Sequence, residues 1–421
     1  MTLRVGITGV GALSALGDEP QALHRALCAG EHARRPLADD ALAELTGVAV
    51  APLPDFDAAR YLGSETNLRP LDGSGRRLAS AAALALEASG WSLEACSAEP
   101  VGLVAGTMFA GMRTIAEFDR RALEAGPQYV MPLDFANTVF NAAAGQTAIR
   151  HRLTGPNATL GGGPVAGLQS LGYAVDLVRS GQTRAVLAGG VDELSREALR
   201  AFGRAGMLSG SAHGDGCPVP FAGRRDGCAM GEGAVLFMVE SLADAERRGA
   251  TVLAEIVAAA SAWAPPADSV DAKATDEVAQ ALARAIAQTF EQANLPAAAL
   301  DAWSASASGS PARDRSEARG FVAAMGKAAP QVAVTAVKGA LGEALGASGG
   351  LQVLALLQAM RCGRLPGIAG LEDPEADLGL TLSADDRALD LRWGLATAVG
   401  LDGAVEALLL RRWEGETGAT R

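Results

Sequence analysis

The sequence predicts an α/β protein built from two duplicated halves, on three observations. The first is a set of short buried apolar runs, each ending in glycine and followed by a helical stretch. The second is a repeated signature: GLQSL at 167–171 in the first half returns as GLQVL at 350–354 in the second. The helices that carry these runs end alike, in Arg179-Ser180-Gly181 and Arg361-Cys362-Gly363, as an internal duplication would leave them. The third is composition: 49% hydrophobic residues and 51 glycines, but only 4% aromatics, which fits helix–sheet layers held close by small side chains.

The elements follow in order. Residues 3–10 (LRVGITGV) read as a buried strand, turning through glycine into a helix near 19–29. An Ala-rich helix is expected over 74–90, a strand over 100–106, and a continuous helix over 134–150. The segment 157–191 reads strand, glycine turn, long helix, strand; 212–231 is a loop dense in Gly, Pro and Asp. Strand, helix and strand are then expected at 232–240, 241–249 and 251–262. This puts the division between the halves at 1–250 and 251–421. In the second half, a strand at 331–336 enters a glycine turn and a helix over 345–361.

The net charge of −12 argues against nucleic acid or an anionic membrane surface as partner, since both reward positive charge. The N-terminal apolar run breaks into glycine and polar residues too early for a signal or a span. Five scattered cysteines without CxxC spacing fit free thiols in a reducing cytoplasm. No His/Cys/Asp/Glu set has metal-ligand spacing, so neither metal nor cofactor is expected. GVGALSALG approaches a dinucleotide fingerprint, but the region some 20 residues on is a polar loop without the acidic residue ending a strand. Gly161-Gly162-Gly163 precedes a helix without the Lys-Ser/Thr of a phosphate loop, and reads as a tight turn.

Five ordered segments resemble the β-ketoacyl synthase family: LTGPN at 153–157, AVLAGGVDE at 185–193, PFAGRRDGCAMGEGAVLFMVE at 220–240, VKGALGEALGASGG at 337–350 and VGLDGAVEALLL at 399–410. The resemblance implies a thiolase-like five-layer αβαβα fold. It also implies that the family's nucleophilic cysteine, ten residues into the GPN-led segment, corresponds to Pro164. The family's two histidines, in its HGTxTP loop and GHxxG turn, correspond to Ser306 and Glu343. Its gating Phe corresponds to Leu401 and its Thr-Asn to Ala404-Val405, while Lys338, Asp226 and Glu232 are retained.

Proline supplies neither a thiolate nor a backbone N–H, and that N–H is one of the family's two oxyanion-hole donors. Proline is well tolerated at the start of a helix, so the scaffold survives. A glutamate at the second histidine position would repel the enolate formed when a malonyl thioester loses CO₂. No histidine follows His213. Such a chain resembles the chain length factor, the silent half of a ketosynthase heterodimer in type II polyketide synthases, although that family carries glutamine at the nucleophile position. The resemblance implies a catalytic ketosynthase partner, and the chain's acidic balance suggests that the acyl carrier protein, usually acidic too, docks mainly on that partner. It implies pairing through a sheet edge and the 134–146 region, with Phe135, Thr138, Val139, Phe140 and the nearby Phe109 as interface or tunnel residues. The alternatives are an acyltransferase or decarboxylase using Ser306, Ser308 or Cys228, and a stand-alone acyl-binding scaffold.

Overall fold

The computed structural model describes residues 3–63, 68–210, 216–265 and 272–415. Part of the expected 212–231 loop, with His213, lies outside them. Ten strands form one hydrogen-bonded sheet: β1 (Val5–Leu13), β2 (Val101–Gly106), β3 (Asn157–Leu160), β4 (Ala185–Asp192), β5 (Gly233–Ser241), β6 (Ala254–Trp263), β7 (Ala302–Ser304), β8 (Ala333–Thr335), β9 (Trp393–Val399) and β10 (Ala404–Arg412). Their order is β8-β7-β9-β10-β6-β1-β5-β4-β2-β3. Each half repeats one pattern. Strands β3, β2 and β4 pair in parallel, as do β8, β7 and β9; the remaining pairs are antiparallel. Strand β1 joins the halves by pairing Val5–Ile7 with Ala254–Ile256.

The principal helices are α1 (Pro20–Cys28), α2 (Gly73–Ser89), α3 (Met112–Ala125), α4 (Ala142–His151), α5 (Ala166–Arg179), α6 (Arg196–Arg204), α7 (Ala272–Ala293), α8 (Pro311–Met325) and α9 (Ser348–Cys362). The pair α2/α4 covers the outer face of the first half-sheet, and α7/α8 covers that of the second. Between the sheets lie α5 and α9, the helices with the repeated signature, touching strands of both halves. This gives the five αβαβα layers. The middle layer is possible because the helix starts are glycine. A Cβ at Gly167 would come 2.5 Å from the Gly346 carbonyl oxygen, and one at Gly349 would come 2.8 Å from the Leu168 nitrogen.

The expected helix over 134–150 is not continuous. One turn at Pro132–Phe135 ends at Ala136, and α4 starts only at Ala142. Local side chains take the backbone out of the helix. Asn137 Nδ2 donates to the Pro70 carbonyl (3.1 Å) and Thr138 Oγ1 to that of Phe135 (2.8 Å). Short polar side chains compete with helical hydrogen bonds in this way.

Candidate active site

The centre of the molecule is where the starts of α5 and α9 meet. Gly163 takes φ +62°, and the turn Gly163–Val165 leads into α5. Pro164 is buried at its second position, within the first turn, where a helix needs no N–H donor. This turn packs against the corresponding turn Leu345–Ala347 before α9 and against β9. Asp192, at the end of β4, fastens the arrangement by accepting from Gly346 N (2.8 Å), Met108 N (2.8 Å) and Thr107 Oγ1 (2.9 Å).

Glu343 and Ser306 meet on Lys338. The Lys338 ammonium donates to Glu343 Oε2 (2.7 Å) and to Ser306 Oγ (2.9 Å). Glu343 is also held through its other oxygen, which accepts from Leu345 N (3.0 Å) and Ser348 Oγ (2.7 Å). Its backbone is clamped between the halves, donating to the Ala229 carbonyl and accepting from Gly231 N. Ser306 Oγ accepts in addition from Val399 N at 3.4 Å, on the strand that faces Pro164. Lys338 is 3% exposed and Glu343 6%. Lys338 therefore brings together Ser306 and Glu343, the two positions that the resemblance matches to the family's histidines.

Sequence reasoning missed the layer behind this pair. Glu317, on α8, accepts from Ser306 N and Thr397 Oγ1, both at 2.7 Å. Burial pushes its carboxyl up to about 7, against those hydrogen bonds and the nearby Lys338 charge. Asp314, one turn earlier, accepts from Phe221 N, Ser308 N and Gly309 N and pairs with Arg225 at 3.1 Å. Arg313 donates to the carbonyls of Val399 and Gly400, tying α8 to the turn that holds Leu401. The signal was present as two acids three apart on an Ala-rich helix, following SGSP. It carried no mark of what they would face.

Two retained positions lie in supporting networks. Asp226 accepts from Ser209 Oγ, Gly210 N and Cys217 N. Burial pushes its carboxyl up, but these bonds outweigh it and hold it below the usual carboxylate range. Glu232 pairs with Arg77 (2.7 Å) and accepts from Leu53 N and Leu194 N. Cys228 is buried. Burial first, and then the Glu343 charge, push its thiol up to about 12, so it holds its proton at neutral pH.

The expected interface residues separate into two groups. Phe135 (62% exposed), Val139 and Phe140 stand in an exposed apolar run with Tyr129, Met131 and Leu133. The Phe140 ring abuts Gly161, just past β3, and β3 is an edge strand paired only with β2. Thr138 is half-buried beside them. Phe109 is placed elsewhere. It packs edge-on against Phe202 of α6, in the cluster that includes Leu345, on the inner side of the site. Leu401 is 37% exposed, in the tight turn between β9 and β10.

Fold, motif order and the paired helix starts together define a condensing-enzyme scaffold. The family models for the β-ketoacyl synthase N-terminal and C-terminal domains match residues 2–245 and 253–372, and the chain belongs to the β-ketoacyl synthase family. Among its relatives, the 3-oxoacyl-(acyl-carrier-protein) synthase 2 of Coxiella burnetii is 28% identical over 414 residues, covering 97% of this chain and 98% of that protein. The enzyme of the same name from Synechocystis sp. is 28% identical over 98% of both chains. Of solved structures, "The ishigamide ketosynthase/chain length factor" superposes with a TM-score of 0.89 at 24% identity, covering 98% of this chain and all of that one. A β-ketoacyl synthase from Burkholderia phymatum gives 0.85 at 25% identity, with the same coverage. Among the described residues no helix is long and apolar enough to cross a membrane.

Proposed function

We propose that this chain is a non-catalytic, chain length factor-like subunit that pairs with an active ketosynthase in type II polyketide biosynthesis and shapes its acyl tunnel. The observation that carries the reading is the filled centre. Pro164 stands in the turn that leads into α5, and Ser306 and Glu343, joined by Lys338, hold the positions that the resemblance matches to the family's histidines. Such a site has no thiolate, lacks one oxyanion donor, and presents a carboxylate to any developing enolate. The solved ketosynthase/chain length factor with the same fold is in keeping with it. The open β3 edge and the apolar run 129–140 supply the surface for a partner, since a monomer rarely leaves such a patch uncovered.

The test is co-expression with a ketosynthase encoded beside this gene that keeps its Cys-His-His set. A stable heterodimer, active only when the partner's cysteine is intact, is expected. Condensation of malonyl units by the purified chain alone would overturn the reading.

One contact favours a second reading, an acyltransferase using Ser306. The Ser306 Oγ–Lys338 Nζ distance of 2.9 Å is that of a Ser–Lys nucleophile pair. The geometry works against it. Lys338 is ion-paired to Glu343 at 2.7 Å, so its nitrogen is engaged by a carboxylate rather than held free beside the serine. Labelling by an acyl thioester probe that disappears in Ser306→Ala would establish the second reading.

A further inference from the structure

A second polar site lies away from this centre, on the open flank of the middle layer. A cavity of about 550 Å³ is bounded by the outward face of α5, by β6 and β10, and by the end of β3 at Leu160. Its deepest charged group is Glu406, on β10, 2% exposed. Ser261, the cross-strand neighbour on β6, donates to Oε2. Oε1 points towards α5, where Gly172 leaves room for it: a Cβ at Gly172 would be 3.5 Å away. Among the described residues, Oε1 accepts no hydrogen bond and Glu406 has no cationic partner. The guanidinium that lines the same cavity, Arg179, is engaged elsewhere, donating to the carbonyls of Val257 (2.9 Å) and Leu3 (3.3 Å).

The surroundings make this more than an accidental buried acid. Asp176, on the rim, adds a second negative charge, and Gln169, Tyr173 and Gln292 add polar groups. Burial first, and the Asp176 charge as well, push the Glu406 carboxyl up to about 7 despite the Ser261 hydrogen bond. A carboxylate buried without a counter-ion is costly, whereas a neutral side chain would carry no such cost. A roomy polar cleft with one free, deeply placed carboxylate oxygen is complementary to a single positive charge bearing N–H donors.

We propose that this cavity is a binding site for one ammonium or guanidinium group, with Glu406 as the recognising charge and Asp176 reinforcing it at the rim. The cleft opens beside β3, the edge along which the partner subunit is placed above. A lysine or arginine side chain of that subunit is therefore the source we assign, and only this assignment rests on the preceding functional reading. A pair made here would be desolvated on assembly, the situation in which an interfacial charge pair contributes to partner choice.

Two arms test the site and the source separately. In the first, the isolated chain is titrated by calorimetry with n-butylammonium and n-butylguanidinium chloride, with n-butanol and sodium chloride as controls. The wild type should bind the two cations and neither control. Glu406→Gln should weaken binding by about 30-fold or more, the loss typical of removing one member of a buried charge pair. Without cation, Glu406→Gln should melt at or above the wild type, because an uncompensated charge is removed. Asp176→Asn, at an exposed position, weakens binding less and guards against misfolding as the explanation. Absence of cation binding by the wild type overturns the site. In the second arm, the dissociation constant of the complex with the co-encoded ketosynthase is measured for wild type and Glu406→Gln. A rise of about 30-fold with a flatter salt dependence supports the partner's side chain as source. An unchanged constant overturns that source and assigns the site to a free amine. Failure of both proteins to form any complex overturns the subunit reading and leaves the first arm standing.

Discussion

Replacing Lys338 with methionine keeps the length and apolar volume of the stem but removes the ammonium that joins Ser306 to Glu343. Glu343 would retain the Leu345 N–H and the Ser348 hydroxyl on Oε1, while Oε2 would lose the donor now 2.7 Å away. With the carboxylate 6% exposed, water cannot take over that role. Removing one partner of a buried ion pair typically costs about 3–5 kcal/mol, because the survivor is left as an uncompensated charge. For 421 residues at about 2.1 cal/mol/K each, the unfolding entropy is close to 0.9 kcal/mol/K, so the melting temperature should fall by about 3–6 °C. The double variant Lys338→Met/Glu343→Gln strands no charge and should recover more than half of that loss, a coupling that scanning calorimetry at pH 7.5 resolves. A single variant melting within about 1 °C of the wild type would refute the reasoning, as would a double variant whose loss is the sum of the two singles.

Three further outcomes are expected. Glu317→Gln keeps an acceptor for Ser306 N and Thr397 Oγ1 but cannot ionise. In the wild type, the folded chain holds this proton up to about pH 7 while the unfolded chain releases it near the ordinary glutamate value. The wild type therefore binds more protons when folded across roughly pH 4.5–7, and this group's contribution to stability falls as pH rises through that window. The variant's melting-temperature profile over pH 5–8 should be flatter than the wild type's; an unchanged slope would show that Glu317 does not titrate there. Gly190→Ala brings a Cβ to 2.0 Å from the Gly346 carbonyl oxygen and should destabilise by about 1–3 kcal/mol or more, whereas Gly145→Ala, with open space around it inside α4, should be neutral or mildly stabilising in the same thermal melts. Pro164→Cys alone introduces a thiol without imidazoles and should leave malonyl-thioester condensation at background; a rate clearly above it would mean that Lys338 and Glu317 suffice for chemistry.

The architecture was legible because strands such as β2, β3 and β9 are short runs that end in or run into glycine, and the close approaches of the middle layer demand glycines at the helix starts. The repeated GLQ marks the two helices that share that layer, and Gly167 and Gly350 lie at their mutual contact. The break at 136–141 was not legible, since DFANTVFN keeps a helical spacing of apolar residues. What breaks it is Asn137 reaching Pro70, 67 positions away, a contact that sequence spacing cannot show. Motif register singles out positions 164, 306 and 343 only as expectations. The meeting of Ser306 and Glu343 on Lys338, and Glu317 behind them, required α8, β9 and the 345–347 turn to be assembled. The Glu406 cavity was invisible for the same reason, being made by strands and helices from both halves.

Under the proposed function, the residues at positions 164, 306 and 343 also bear on how the scaffold is held together. Pro164 presets the backbone for the first turn of α5 and asks for no donor, so a strained entry following Gly163 becomes a rigid one. Glu343 does the work of a brace: its side chain joins Lys338, the turn before α9 and Ser348, and its backbone bridges to Ala229 and Gly231 of the other half. Ser306 accepts from Lys338 and from β9, closing the gap between the loop before α8 and the strand leading to Leu401. On the proposed reading, each of these residues stands where an active enzyme would keep a group partly free to react. A reactive centre is drawn from groups left poised and incompletely satisfied, so satisfying them trades activity for rigidity. For the proposed subunit, which would hold one wall of a partner's tunnel in a fixed position, that rigidity would serve the function directly.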